Sequence, residues 1–544
     1  MDDALLLGLY TAEGMRSMDA AAIEKVGIPA GHLMERAGVA VAREVMDRFE
    51  PRTAAIYAGK GNNGGDGFVV ARELACAGVS VVVVAVAGCE GYQGSARLNL
   101  RICEKLSIEI LDGLPPETDV PPLLSRPDVV VDAVFGTGFS GAARGPAAAA
   151  IERINATPAP VVAIDIASGV HASSGTVTGP CVDAEVTVTM QVAKVGHFVT
   201  PGGAIAGDVV VVPIGIPPSC NARPDVWVLT PPAMLALLRP KSALDHKRSV
   251  GRVLVVGGAP GMGGAAFLAG MGALRAGGGL VRCAVPAAEA VVKPYVETIA
   301  IPLPDRECLG QASKALVLEH MRDMQATALG PGLGRAPETV ALVRELVTEP
   351  RPLVIDADGL WALDADLDLL RGREAPTILT PHEGELGRLL SCPASEIGAH
   401  RLASARQAAK ASGATVVLKG EATIIADPGG HAYVVPTGNP GLATPGTGDV
   451  LTGALAAQLA KGLGATEAAC LGAYLHGLAA DLAAEYETGT DGMVAGDLLG
   501  FLPRAIERLK HGEDDHGMRS DAGAASGDRD TPSEREGAHH VAHR

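Results

Sequence analysis

Short apolar runs alternate with glycine-rich polar loops and with segments whose apolar positions recur at helical spacing. Residues 33–49 have that spacing, and 54–57 form a short apolar strand that meets Ala58-Gly59-Lys60-Gly61-Asn62-Asn63-Gly64-Gly65-Asp66-Gly67. A helical stretch, 68–77, and a strand, 79–86, complete one β-loop-α-β unit of a parallel sheet. The pattern recurs with strands at 129–134, 161–166 and 209–212, a loop at 136–145 and a helix near 147–155. A second series opens at 252–256, which enters the glycine-rich loop 257–264. Strands at 279–285, 326–329, 352–355, 377–379 and 415–418 follow, most of them running into a polar loop. Open α/β sheets bind their ligands at such strand ends. Prolines at 213–218 and 224 mark a seam between the two series. The chain therefore divides into domains over 1–222 and 223–510 and a tail over 511–544. The tail, with His539, His540 and His543, loses the apolar pattern and cannot bury enough surface to offset its ordering entropy, so it is expected to be disordered.

Composition narrows the partners. The chain has 544 residues, 47% hydrophobic and 20% charged, enough for two large α/β domains. A net charge of −17 argues against a nucleic-acid partner, and 2 Trp, 7 Tyr and 7 Phe leave few platforms for stacked bases. Nine cysteines without a C-x-x-C spacing suggest free thiols in a reducing compartment and no zinc site. The first ten residues lack the basic n-region of a signal peptide, and apolar runs such as 79–87 are too short to span a bilayer. The expectation is a soluble, cytoplasmic protein that acts on small molecules and forms a homo-oligomer, with no nucleic-acid or membrane partner.

The most informative stretch is 438–453, G-N-P-G-L-A-T-P-G-T-G-D-V-L-T-G. A glycine-rich loop runs into Asp449 and then into an apolar helical run. Unpaired N–H groups at a helix start form an anion site. A carboxylate there reads in two ways. Asp449 is a helix cap, or it takes a proton from a hydroxyl while the amides hold the phosphoryl group that the hydroxyl attacks. In the first domain, Gly59–Gly64 fits G-x-G-x-x-G but lacks the G-K-[ST] of a Walker A loop. Asn62, Asn63 and Asp66 place amide and carboxylate oxygens in the turn, where they suit a hard cation. Asp132 and Asp165 end two strands on the same sheet edge.

Two resemblances give these residues roles. A-G-K-G-N-N-G-G-D-G (58–67), V-D-A-V-F-G-T-G (131–138), D-I-A-S-G-V (165–170) and K-V-G-H (194–197) resemble the NAD(P)H-hydrate epimerase family, the YjeF N-terminal domain. This implies a Rossmann-like domain that interconverts the R and S epimers of hydrated NAD(P)H at C6 of the nicotinamide ring. Asn62, Asn63, Gly64, Gly65 and Asp66, with Gly136, Thr137, Gly138, Phe139, Ser140, Gly141 and Ala142, would bind the hydrate. Asp165 would be the catalytic carboxylate, and Asn63, Asp132 and Ser168 would ligate K+. Ala167 and Ala193 stand where that family usually has proline. Lys194 is left to pair with a phosphate or with Asp165, or to lie on the surface.

G-P-G-L-G (330–334), D-A-D-G-L (356–360), T-P-H-E-G-E (380–385), K-G-E-A-T (419–423) and G-T-G-D (446–449) are similar to the ribokinase-like family, and within it to ADP-dependent NAD(P)H-hydrate dehydratases. The resemblance implies two tandem three-layer α/β domains. The second would spend ADP, with Mg2+, to phosphorylate the C6 hydroxyl and expel phosphate, giving NAD(P)H, AMP and phosphate. Ala265, Gly332, His382 and Asp449 would contact the hydrate, with Asp449 as base. Lys419, Gly420, Glu421, Ala422, Thr423 and Gly448 would contact the nucleotide. Glu385 would orient metal-bound water or cap a helix. The alternative is a vitamin or sugar kinase fused to a non-catalytic binding module. Such kinases tend to carry N-x-x-E where this chain has His382-Glu383-Gly384-Glu385.

Overall fold

The computed structural model describes residues 1–291, 295–305, 308–512 and 539–541. Two compact units result, Gly8–Val226 and Trp227 onward, and the short segment Met1–Leu7 belongs to the second. Its amino group lies 3.8 Å from Glu467.

In the first unit, β1 (Thr53–Ala58), β2 (Ser80–Ala85), β3 (Glu109–Asp112), β4 (Val129–Ala133), β5 (Val161–Ile164), β6 (Val186–Met190) and β7 (Asp208–Val212) form a parallel sheet in the order β7-β6-β5-β4-β1-β2-β3. The central strands are nearly continuous valine, isoleucine and alanine because helices cover both faces, which is where parallel sheets occur. Of the expected tail, the backbone of His539–Val541 runs antiparallel to β7; residues 513–538 and 542–544, including His543, lie outside the described residues. Helices α1 (Ala30–Phe49) and α2 (Asn62–Cys76) pack on one face. The start of α2 differs from the expected loop. Its glycines are helical because tertiary packing excludes side chains: a Cβ at Gly65 would meet Met34 Cε at 2.5 Å, and one at Gly67 would meet Ala133 Cβ at 2.7 Å.

The second unit contains β8 (Val226–Val228), β9 (Arg252–Val256), β10 (Leu280–Pro286), β11 (Ile299–Leu303), β12 (Ala326–Leu329), β13 (Leu353–Ile355), β14 (Thr377–Leu379), β15 (Thr415–Leu418), β16 (Ile424–Ala426) and β17 (Ala432–Val434). Their order is β8-β17-β16-β15-β14-β13-β12-β9-β10-β11. Strands from β11 to β15 are parallel neighbours, and β16 is antiparallel to both β15 and β17. Helices α3 (Gly263–Arg275), α4 (Glu383–Leu390), α5 (Thr447–Ala460) and α6 (Ala465–Ala483) position the site residues. From Val450 to its end α5 is apolar almost all round and fully buried, as a core helix must be. It packs against α3 with no side chain between: a Cβ at Gly453 would sit 1.9 Å from the Ala269 carbonyl oxygen, and one at Gly272 would sit 2.5 Å from that of Val450. That close approach sets where the start of α5 lies. Among the described residues no helix is long and apolar enough to cross a membrane, and all nine cysteines are free.

Candidate active sites

In the first unit, three strand ends and the start of α2 converge. A Cβ at Gly136 would lie 3.1 Å from Asn63 Oδ1 and 3.2 Å from Asp165 Oδ2. Asn63 donates from Nδ2 to the Phe135 carbonyl at 2.9 Å, which leaves Oδ1 turned to that point. Asp132 is fully buried. Its Oδ1 accepts from the Val134 amide (3.1 Å) and the Ser168 hydroxyl (2.7 Å), and its Oδ2 accepts from the Ser168 amide (2.8 Å). Burial pushes Asp132 up to about 6 against those hydrogen bonds. Ser168 Oγ also accepts from the Phe135 amide at 2.8 Å, so Asn63, Asp132 and Ser168 are tied through one loop.

Asp165 has φ 70°, a left-handed backbone that aims its side chain at Gly136 and Thr137. Oδ2 accepts from the Thr137 amide at 2.9 Å and from its hydroxyl. Oδ1 pairs with Lys194 Nζ at 2.7 Å. Burial alone would raise the carboxyl; Lys194 and Thr137 outweigh it and hold Asp165 down at about 2. Lys194 is fully buried and also donates to Thr189 Oγ1 (2.6 Å) and the Met190 carbonyl (3.0 Å), so its three protons are committed. It pairs with Asp165, and the surface alternative is overturned. His197 braces the pair. Nδ1 accepts from the Lys194 amide at 3.1 Å and Nε2 donates to the Asp165 carbonyl at 2.8 Å, which fixes the tautomer.

Around this ion pair stand half-buried Asp66 and Asp19. Burial, then the charge of Asp165, pushes Asp66 well up. Burial pushes Asp19 up to about 6, with Lys194 pulling it down. Asp19 comes from the helix Ala12–Ala20, whose sequence offers no local signal for a site. Phe139 stacks on Phe135 with centroids 4.4 Å apart. Gly138, Ser140 and Gly141 are exposed further along the loop, and Ser140 makes no hydrogen bond among the described residues. Asn62 is exposed at the first position of α2, whereas Gly64 and Gly65 are buried in its first turn.

In the second unit the organising group is Asp356, at the end of β13, which motif reading had left without a role. Its Oδ1 accepts from Thr380 (2.7 Å) and Lys419 Nζ (2.8 Å), and its Oδ2 accepts from Thr452 (2.7 Å), one turn after Asp449 on α5. One buried carboxylate thus ties the ends of three strands to α5. Lys419 also reaches Glu385 Oε2 at 3.6 Å, and a Cβ at Gly448 would lie 3.7 Å from its Nζ. An ammonium therefore stands beside the start of α5, faced by the carboxylates of Asp356 and Glu385. Burial works against that charge, and Asp356 and Glu385 outweigh burial to hold Lys419 raised.

Asp449 makes no side-chain hydrogen bond among the described residues. It does not cap α5: Gly446, at φ 92°, holds the cap position. Burial, then the Asp356 charge, pushes Asp449 up to about 7 while Lys419 pulls it down. It is thus a carboxyl poised to exchange a proton near neutrality. Behind it His476 Nε2 donates to the Thr447 carbonyl at 2.9 Å, and burial lowers His476 to about 4. His382 caps α4: Nδ1 accepts from the amides of Gly384 (3.0 Å) and Glu385 (3.3 Å), and Glu385 Oε2 accepts from the His382 amide at 2.8 Å. Glu385 is the capping partner. His382 remains exposed, with Nε2 3.6 Å from Glu385 Oε1. Gly332 (φ 60°) abuts Ala265, whose Cβ would lie 3.1 Å from a Cβ at Gly332. In the 419–423 loop Gly420 has φ 136° and Ala422 φ 48°, and Thr423 Oγ1 donates to the Gly420 carbonyl at 3.1 Å. Glu421 is exposed.

Fold and sites define a two-domain α/β protein with a cluster of carboxylates at the strand ends of each half. The family model described as YjeF-related protein N-terminus matches residues 30–196, and the one described as NAD(P)H-hydrate dehydratase matches 253–504. The chain is 42% identical over 517 residues to the bifunctional NAD(P)H-hydrate repair enzyme Nnr of Moorella thermoacetica, covering 92% of this chain and 97% of that one. It is 38% identical to the protein of the same name from Thermofilum pendens, covering 91% and 95%. Among solved structures, the ADP/ATP-dependent NAD(P)H-hydrate dehydratase of Bacillus subtilis, co-crystallized with ATP/Mg2+, is 31% identical with a TM-score of 0.45. The match covers 52% of this chain and 98% of that one. The chain belongs to the family of bifunctional NAD(P)H-hydrate repair enzymes.

Proposed function

We propose that the chain repairs hydrated NAD(P)H in two steps, one in each unit. The first unit interconverts the R and S epimers. The second dehydrates the S form at the expense of ADP. The observation that carries this reading is the contrast between two carboxylates. Asp165 is held ionised by a buried lysine, and Asp449 is left unpaired with its proton affinity raised to about 7.

At the first site C6 bears a hydroxyl beside the ring nitrogen, so the centre opens and recloses with proton help. Asp165 accepts the proton, and Asp66, whose carboxyl is raised by burial and then by the charge of Asp165, is the candidate to give one back. Asn63 Oδ1, the Asp132 carboxylate and Ser168 Oγ are all oxygen donors, and Asn63 Oδ1 accepts no hydrogen bond from the described residues. That donor set fits K+, which would hold the loops in register.

At the second site Asp449 takes the proton of the C6 hydroxyl as its oxygen attacks the β-phosphorus of ADP; AMP leaves with the bridging oxygen. Lys419 and the α5 amides stabilise the phosphoryl oxygens. The C6–O bond then breaks, phosphate departs with the electron pair, the ring nitrogen supplies electrons, and loss of the C5 proton gives NAD(P)H. Mg2+ would enter with the nucleotide phosphates and neutralise their charge. Among the described residues no three acidic, histidine or cysteine side chains assemble to cage a metal. The kinase alternative is disfavoured by the residue types at 382–385, where His382 stands in place of the asparagine that such kinases tend to carry. Incubation with mixed hydrate epimers, ADP and Mg2+ should restore the near-ultraviolet absorbance of reduced nicotinamide; no recovery from either epimer would defeat the reading.

A further inference from the structure

Beside the second site lies a cavity of about 320 Å3 bounded by Arg335, Trp361, His382, Glu385 and Arg388. Two guanidinium groups face one indole, with Arg335 Cζ 4.0 Å and Arg388 Cζ 3.0 Å from the ring centroid of Trp361. Arg335 commits only Nε, to Asp358 Oδ1 at 2.8 Å. Arg388 makes no hydrogen bond among the described residues: its buried Nε faces Asp364 Oδ1 at 3.7 Å, beyond hydrogen-bond distance. The terminal nitrogens of both therefore have no acceptor among the described residues. Each guanidinium faces a carboxylate through Nε alone, Asp358 for Arg335 and Asp364 for Arg388, so an anion at the terminal nitrogens would add to that compensation. A planar fork with unspent donors matches a phosphate ester.

The position names the molecule. The Glu385 wall is 3.6 Å from Lys419, which stands beside Gly448 at the start of α5. An anion in the cavity can thus belong to the molecule that reacts at Asp449. The volume is at the low end of ligand pockets, about 300–1,000 Å3, so it accepts a phosphate with its sugar but not a whole dinucleotide. We propose that this cavity receives a phosphate ester of the hydrated dinucleotide, bound by Arg335 and Arg388. The proposal rests on the dehydratase reading. Two groups carry that chemistry: the pyrophosphate bridge, common to both hydrates, and the 2′-phosphate, found only in hydrated NADPH.

The test uses the full chain with Arg335→Gln and Arg388→Gln, assayed on the purified S epimers of both hydrates with saturating ADP and Mg2+. Each variant should raise KM for the hydrate about tenfold, the loss of one charge-assisted contact, with kcat and the KM for ADP unchanged. A rise for both hydrates assigns the pyrophosphate, and a rise for hydrated NADPH alone assigns the 2′-phosphate. An unchanged hydrate KM, a fall in kcat alone, or a rise in the KM for ADP overturns the proposal. A readout free of turnover comes from Trp361, one of 2 tryptophans in the chain. In Trp227→Phe protein, inorganic pyrophosphate should change the emission of Trp361, and adding Arg388→Gln should abolish the change. No response in the parent overturns the site. A response without turnover by the wild type leaves the site standing and sinks the dehydratase reading instead.

Discussion

Lys194 Nζ stands 2.7 Å from Asp165 Oδ1, with the lysine wholly buried and the carboxylate opening to the Gly136 loop. Removing the cation strands a buried negative charge. Lys194→Met should cost about 3 kcal/mol of first-unit stability, read by denaturant unfolding. The pair also sets an acid limit. Asp165 is lowered in the folded state, so its contribution is present above the ordinary aspartate range near about 4. It is lost as pH falls from there through about 2. A pH series of melting temperatures should show this loss in the wild type and a smaller one in Lys194→Met.

The carboxyl of Asp449 is raised toward neutrality, first by burial and then by the Asp356 charge. It must be ionised to accept a proton, and its carboxyl is pushed up to about 7. Dehydration of the S epimer should therefore rise with pH through about 7 and level off above it. Asp449→Asn should lower the rate by about a hundredfold or more while epimerisation continues, followed by separating the epimers chromatographically.

Burial raises Asp449 most and the Asp356 charge adds to it, and Asp356 also anchors Lys419. Asp356→Asn should shift the dehydration pH profile to lower pH and raise the KM for ADP. A purely structural residue would change stability and leave the profile in place.

The packing of α3 on α5 offers a test away from the chemistry. Gly453→Ala would put a methyl 1.9 Å from the Ala269 carbonyl oxygen, which neither helix can yield without moving. The change should cost about 1–3 kcal/mol and depress dehydration, because α5 carries Asp449. Epimerisation, in the other unit, should be spared.

Much of this architecture is legible in the chain. Buried valine-rich runs such as 129–133 and 252–256 declare central strands, and the glycine loops after them declare the strand ends where the site residues gather. The start of α2 was hidden because glycine is a poor helix former, and contacts from Met34 and Ala133 decide its conformation. The short strands β16 and β17 were hidden because three residues carry too little period to read. Lys194 and Asp356 illustrate a different limit. Each takes its role from partners on other elements: Thr189 and Asp165 for the lysine, Thr380, Lys419 and Thr452 for the aspartate. No local spacing encodes those meetings.

The two-step account is tested most directly by the rate at which reduced nicotinamide returns from the purified R epimer, with saturating ADP, in wild-type and Asp165→Asn protein. The account predicts rapid return in the wild type, a fall to the uncatalysed epimerisation rate in Asp165→Asn, and equal rates for both proteins from the S epimer. Return from the R epimer at the wild-type rate in Asp165→Asn would contradict it.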